Sequence, residues 1–343
     1  MNFDQTYILD FAKRLLATHS PSGYTQNAIT FIEQEIANWN YASYRTNKGN
    51  LVIVVDGEDN ESAVGLCAHT DTLGLMVRSV SGDGKLQVTN LGGPLMPTLD
   101  GEYCTIITRE GRKFSGTILS KSPAAHVYKD ASSAARNTDT MEVRIDEVVK
   151  SKQDVNALGI FPGDFVCIDP KTQITDSGFI KSRFLDDKIS VAVFMGVLKY
   201  FHDHQITPKH KTYFMISTYE EVGHGMSWIP SDIKELLAVD MGCIGLDLSC
   251  TEYDVSICAK DSSGPYDFEL TNRLIQIAKE KELKYVVDIY PFYGSDVGAA
   301  LHAGHDVKGA LIGPGVHASH GMERTHFEGV KNTLELVYHY LTN

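Results

Sequence analysis

Two adjacent carboxylates, Glu220 and Glu221, follow an apolar, β-branched and aromatic run at 212–217 and precede Gly223 and Gly225. That pattern predicts a buried strand running into a loop, with both acids at the strand's carboxyl end. Ligands bind along that edge of open α/β sheets. Adjacent residues in a turn point in different directions, so one carboxylate could hold a metal while the other acts on water as a general base. Further groups of suitable chemistry stand at predicted element ends. His69 and Asp71 follow the apolar run 63–68, and Asp186 and Asp187 precede an apolar helical stretch. Asp240 follows Leu-Leu-Ala-Val, and His317, His320 and His326 cluster late in the chain. Carboxylate and imidazole suit hard-to-borderline divalent cations, and two such ions need about that many protein donors. Each group alone has a structural alternative: a solvated acidic turn, a structural strand-end histidine, or a helix cap. We read Asp187 as the cap and Asp186 as the ligand, and prefer Asp240, which directly ends an apolar strand, to Asp247.

The elements that must position these groups are legible in the periodicity. Ile8, Phe11 and Leu15, then Ile29, Ile32, Ile36 and Trp39, recur at helical spacing on either side of the turn Ser20-Pro21-Ser22-Gly23. Residues 42–46 and 51–55 predict a hairpin. From 73 to 175 the texture changes to short alternating segments punctuated by glycine, which predicts a β-barrel module with one short helix at 151–158; there His126 and Lys129 read as solvated loop residues. Helices are then predicted at 189–201, 268–281, 295–303 and 328–341, and strands at 212–217, 236–239, 255–259, 285–289 and 307–312. The expected fold class is α/β: a mixed-sheet catalytic domain with helices on both faces, built from 1–72 and 176–343 and interrupted by the inserted barrel.

With 343 residues, 43% of them apolar and 22% charged, the chain has an ordinary globular composition. Its net charge of −13 disfavours nonspecific binding to nucleic acid or an anionic membrane surface. The longest apolar runs are too short to span a bilayer, and the first residues form an acidic amphipathic helix unlike a signal peptide, so a cytoplasmic location is expected. The six cysteines form no C-x-x-C pair and sit in strand-like runs, which predicts free buried thiols and an N/O-ligated metal.

The ordered series AHTD at 68–71, RFLDDK at 183–188, EEVG at 220–223, AVD at 238–240, GSD at 294–296 and SHGMERTH at 319–326 resembles the glutamyl-aminopeptidase and tetrahedral-aminopeptidase family of dinuclear metallopeptidases. The resemblance runs over essentially the whole chain. It implies a metal-dependent aminopeptidase acting on short peptides with two divalent ions per subunit, zinc first, with cobalt or manganese also compatible. Asp186 would bridge the ions and be joined to Asp187 by a cis peptide. His69 and Asp240 would complete one site, Glu221 and His320 the other, with His326 and His317 as alternatives to His320. Asp71 would orient His69, and Glu220 would take the proton from the attacking water and pass it to the leaving amine. The resemblance also implies a homo-oligomer, commonly a dodecamer. Thr72 stands where an acid is frequent and Tyr219 where Gln is frequent, and the late His-Ser-x-x-Glu form is altered. That ending, with KDSSGP at 260–265, is similar to a branch encoded beside genes for a small acetylated dipeptide-amide osmolyte. Two other readings therefore stand: a deacylase or amidohydrolase acting on an N-acylated or amidated small compound, and a non-catalytic binding protein of the same fold.

Overall fold

The structure, a computed structural model, describes all 343 residues. They form two compact units, residues 1–71 with 171–343, and residues 72–170. The first unit is built on a mixed sheet in the order Ala42–Arg45, Leu51–Val55, His210–Ser217, Asp59–His69, Ile233–Val239, Lys308–Val316, Val255–Asp261 and Gly264–Pro265, with Tyr285–Ile289 added beside Val255–Asp261. Its central strands, His210–Ser217, Asp59–His69, Ile233–Val239 and Lys308–Val316, run parallel. Their carboxyl ends therefore meet at one edge. That requirement explains their composition, because a strand covered on both faces reads as a continuous apolar run.

The helix Leu185–His204 is apolar on nearly every side and buried along most of its length, as a central helix must be. It packs against Gln5–Ala17 and Phe327–Thr342, which are amphipathic and bury one stripe each. Phe11, at the centre of the first stripe, is fully buried, a burial that contributes about 1.5–3 kcal/mol. Asp4 caps the first helix by accepting from the Tyr7 N–H.

The second unit is a closed barrel of six strands, in the order Gly74–Val80, Leu86–Leu91, Met141–Ile145, Lys113–Ser120, Tyr103–Ile107 and Phe165–Ile168. Alternate residues such as Leu75, Val77, Leu86, Val88 and Val143 fill it. The compact unit ends at Pro170, five residues before the boundary expected at 175, because Gln173–Ile174 pairs with Phe179–Ser182, which in turn pairs with Glu323–His326. No helix is long and apolar enough to cross a membrane. All six cysteines are free; five are buried and Cys243 is half-buried.

Candidate active site

Three parallel strands deliver the first groups. His69 ends Asp59–His69 directly beside Ser217, which ends His210–Ser217, and the Thr70 N–H donates to the Ser217 carbonyl at 3.0 Å. Beyond Ser217 the chain makes one short 3₁₀ turn, Glu220–Val222. Asp240 follows Val239, and its N–H donates to the Ile312 carbonyl at 2.9 Å. Asp186 and Asp187 interrupt the start of the central helix with non-helical backbone and a cis peptide between them. His320 arrives from the late loop with a left-handed backbone, φ 63°, unusual for a side chain of this size. Such a conformation persists only where the surroundings enforce it, and here the buried Glu323 does so. Its carboxylate accepts from the His320 N–H at 3.1 Å and from the Asp186 N–H at 3.1 Å, tying two otherwise unconnected turns together.

The side chains converge. His69 Nε2 lies 3.0 Å from Asp186 Oδ1 and 3.6 Å from Glu220 Oε2. His320 Nε2 lies 3.5 Å from Asp186 Oδ2 and 3.7 Å from Glu221 Oε2. Donor atoms of His69, Asp186 and Glu221 fall within 4.8 Å of one another, as do those of His69, Asp187 and Asp240. A cavity of about 390 Å³ opens beside Asp186, Glu220, Glu221, Asp240 and His320.

Burial and crowding of like charges govern the electrostatics. Burial pushes the Glu220, Glu221 and Asp187 carboxyls well above their ordinary range, and the neighbouring Asp240 or Asp186 charges add to it. Burial and the Asp186 charge raise Asp240 to about 7. Asp186 itself is held low: burial would raise it, but hydrogen bonds from His320 and His69 outweigh that. Burial disfavours a charged His69, yet its bond to Asp186 and the Glu220 and Asp240 charges hold its pKa well above the ordinary value. Glu221 Oε1 and Asp187 Oδ1 are buried without a hydrogen-bond partner. Unsatisfied anionic oxygens packed this closely are costly unless a cation compensates them, so these O and N donors fit divalent metal ions.

Two expected details differ. Asp187 lies inside the first turn of Leu185–His204 instead of before it, and its Oδ2 accepts from the His69 N–H at 3.1 Å. Asp71 meets His69 Nδ1 through its backbone carbonyl, at 2.9 Å, with its carboxylate farther off at 3.6 Å. That carboxylate also accepts from the Glu220 N–H at 3.0 Å, the Glu221 N–H at 3.3 Å and the Ser22 hydroxyl at 2.5 Å, and so fixes the turn bearing both acids. His326 is occupied elsewhere, with Nδ1 accepting from the Glu328 N–H at the start of the last helix and Nε2 facing the Ser177 carbonyl at 2.7 Å. His317 bridges by backbone to Arg324. Asp247 lies on an exposed turn, whereas Asp240 is buried. The ring of Tyr219, the residue found where Gln is frequent, stacks on His224. The sequence reading missed Ser22, Asn50 and Glu323. Asn50 donates to the Gly225 carbonyl at 2.9 Å and accepts from Thr218, while Lys48 donates to the carbonyls of His224 and Gly225. Asp296, quoted only within GSD, closes the same loop by accepting from the Ser217 hydroxyl at 2.5 Å and the Met226 N–H at 2.9 Å.

Comparison with known proteins places this geometry in a family. The profile of the M42 glutamyl aminopeptidases matches residues 49–336. The protein YhfE of Bacillus subtilis (strain 168) is 45% identical over 334 residues, covering 97% of this chain and 96% of its own. The lysyl aminopeptidase of Pyrococcus furiosus is 24% identical over 62% of this chain and 60% of its own. Among solved structures, the TET aminopeptidase from the marine sediment archaeon Thaumarchaeota archaeon SCGC AB-539-E09 superposes with a TM-score of 0.88 at 18% identity, covering 98% and 97% of the two chains. The TET1 peptidase of Pyrococcus horikoshii, whose structure is described as assembling into a tetrahedron or a large octahedral shell, gives 0.86 at 20% identity, covering 98% and 99%.

Proposed function

The chain belongs to the M42 glutamyl aminopeptidase family, and on that footing we propose that it is a metal-dependent aminopeptidase removing the N-terminal residue of short peptides. The observation that carries this reading is the meeting of His69, Asp186, Glu221, Asp240 and His320 with a further carboxylate, Glu220, beside an open cavity. Two divalent ions, zinc first, would be held by His69, Asp186 and Asp240 on one side and by Asp186, Glu221 and His320 on the other. Ions there would supply Lewis acidity, lowering the pKa of the hydrolytic water and polarising the scissile carbonyl.

The remaining steps belong to the protein. Glu220 accepts the proton of the attacking water on a carboxylate oxygen and returns it to the departing amine nitrogen, as a general base that becomes a general acid. Burial, the largest cause raising the Glu220 carboxyl, suits this exchange, because a desolvated carboxylate is a stronger base than one in water. Asp71 holds the Glu220–Glu221 backbone from one side and Asp296 ties the ends of the loop, so the base is positioned before substrate arrives. Glu323 does the same for Asp186 and His320. The assembly of the Pyrococcus horikoshii peptidase supports a homo-oligomer here as well, and the acidic charge and lack of a spanning helix fit a cytoplasmic enzyme.

Glu220→Gln tests the assignment. It removes the base and leaves every proposed ligand, so the variant should bind the same metal content as wild type while hydrolysis falls by about 10²–10⁴. A metal-replete Glu220→Gln protein with wild-type turnover would remove Glu220 from this role.

A further inference from the structure

The cavity beside the proposed ion site has a second wall that supplies no proposed metal ligand, although its Tyr293 phenol bonds to the Asp240 carboxyl. It is made by Ser263, Phe292, Tyr293 and Ser295 with Gly298, Ala299 and His302 of the helix Asp296–His302. Apart from Asp186, Glu220, Glu221 and Asp240, whose charges are committed to the ions on the reading above, no Asp, Glu, Lys or Arg lines this cavity. His302, exposed at its mouth, is the one ionisable side chain on this wall besides the Tyr293 phenol. Gly298 and Ala299 offer the cavity backbone and a methyl group.

The serine on this wall is held in place by a dedicated network. Ser263 lies in the turn of the KDSSGP segment, between the paired strands Val255–Asp261 and Gly264–Pro265. Asp261, almost fully buried, accepts from the Ser263 N–H at 2.7 Å and from the Tyr266 hydroxyl at 2.6 Å, and that hydroxyl lies 2.8 Å from Ser295 Oγ. A Cβ added at Gly298 would come within 3.1 Å of Ser263 Oγ, so the turn sits close against the helix. The charge of Asp261 is spent on this scaffold and does not line the cavity.

We infer that this wall forms the subsite for the side chain of the residue being removed, and that it selects uncharged side chains over those of glutamate and lysine. The inference rests on the aminopeptidase reading above. A carboxylate entering the subsite finds no Lys or Arg, and an ammonium finds no acid outside the ion cluster. A charged side chain on this wall, which stands largely open to water, gains no ion pair, whereas an apolar one covers the Phe292 ring, 94% exposed. A neutral side chain meets hydroxyls, a methyl group and two aromatic rings, the mixture typical of small-molecule pockets.

The test uses the full-length, zinc-loaded protein and the p-nitroanilides of alanine, leucine, serine, glutamate and lysine. Leucine or another neutral residue should give a kcat/KM at least tenfold above both charged ones. Ser263→Lys should raise glutamate relative to leucine by about tenfold, and Ser263→Glu should do the same for lysine; one exposed turn position then reports both signs of charge. Wild-type preference for glutamate or lysine would overturn the inference, and a glutamate preference abolished by His302→Ala would transfer recognition to that imidazole. A ranking unmoved by both Ser263 variants would also overturn it. Calorimetric titration of free leucine, glutamate and lysine reads the subsite without turnover. Leucine binding without hydrolysis of any anilide would count against the peptidase reading while supporting the neutral subsite; tighter binding of glutamate or lysine would overturn the latter.

Discussion

Gly313 lies in the strand Lys308–Val316 where that strand passes the residue proposed as a metal ligand, and its replacement by alanine makes a demanding prediction. A Cβ built there would sit 1.3 Å from the Asp240 carbonyl oxygen and 2.5 Å from the carbonyl carbon, whereas real Cβ contacts essentially never fall below 3.0 Å. Backbone must therefore give way by about 1.7 Å (3.0 less 1.3), since no rotamer change can relieve a clash with main chain. The adjacent Asp240 N–H bond to the Ile312 carbonyl, 2.9 Å, lies in the path of that shift. Overpacking of this kind costs about 3 kcal/mol, a loss of roughly 4 °C in Tm for a chain of this size. Misplacing a group at the reacting centre by about 1 Å costs on the order of 100-fold in rate, so kcat/KM in the fraction that stays folded should fall at least that far. Gly82→Ala, whose Cβ meets nothing within 4 Å, is the matched control and should stay within about 0.5 kcal/mol of wild type. Thermal melting followed by steady-state kinetics on a leucine anilide measures both effects. A Gly313→Ala protein that melts within about 1 °C of wild type and turns over normally would refute the close approach of Gly313 to Asp240, and with it the account of how Asp240 is placed.

Other perturbations follow from the same geometry. His320→Ala should lower bound metal from two ions to one per subunit by elemental analysis; full two-ion occupancy would take His320 out of the ligand set. Glu323→Gln leaves one acceptor oxygen for the two N–H groups of Asp186 and His320, so metal affinity should fall by roughly 10–100-fold in a chelator competition; unchanged affinity would show that the two turns hold themselves. Burial and the Asp186 charge raise Glu323 to about 8 and burial raises Asp240 to about 7, against ordinary values of 4.5 and 3.8. The folded metal-free chain thus holds protons that the unfolded chain has released. The stability these groups contribute is fully present below pH 3.8–4.5 and is lost as pH rises through about 7–8. Zinc should then raise the Tm more at pH 8 than at pH 5; an equal or smaller rise at pH 8 would contradict this charge balance.

How far the sequence disclosed this arrangement depended on whether a group's partner lay nearby in the chain. The apolar runs ending at Ala68, Ser217 and Val239 mark strands buried on both faces, and parallel pairing then brings His69, Glu220 and Asp240 to one edge. The amphipathic stripes of the first and last helices were equally plain, as was the barrel in its alternating, glycine-punctuated segment. The supports were hidden because each spans a long separation: Glu323 to the Asp186 N–H crosses 137 residues, Asn50 to Gly225 crosses 175, and Ser22 to Asp71 crosses 49. No local pattern announces such a bond. Asp71 beside His69 was legible for the opposite reason: its carbonyl at 2.9 Å and its carboxylate at 3.6 Å both face the imidazole, and what local spacing did not disclose is that the same carboxylate also reaches across to the Glu220 turn. One missed signal was available: Gly313-Pro314-Gly315 inside an otherwise apolar strand marks close approach of another backbone, here Asp240 and Thr251.

The most direct test of the central claim pairs free and N-acetylated forms of the same short peptides and assays them with the zinc-loaded protein, before and after chelation. The account predicts cleavage of the free-amine peptides alone, abolished by chelator and restored by zinc. Cleavage of the acetylated peptides, or hydrolysis that survives complete removal of metal, would contradict it.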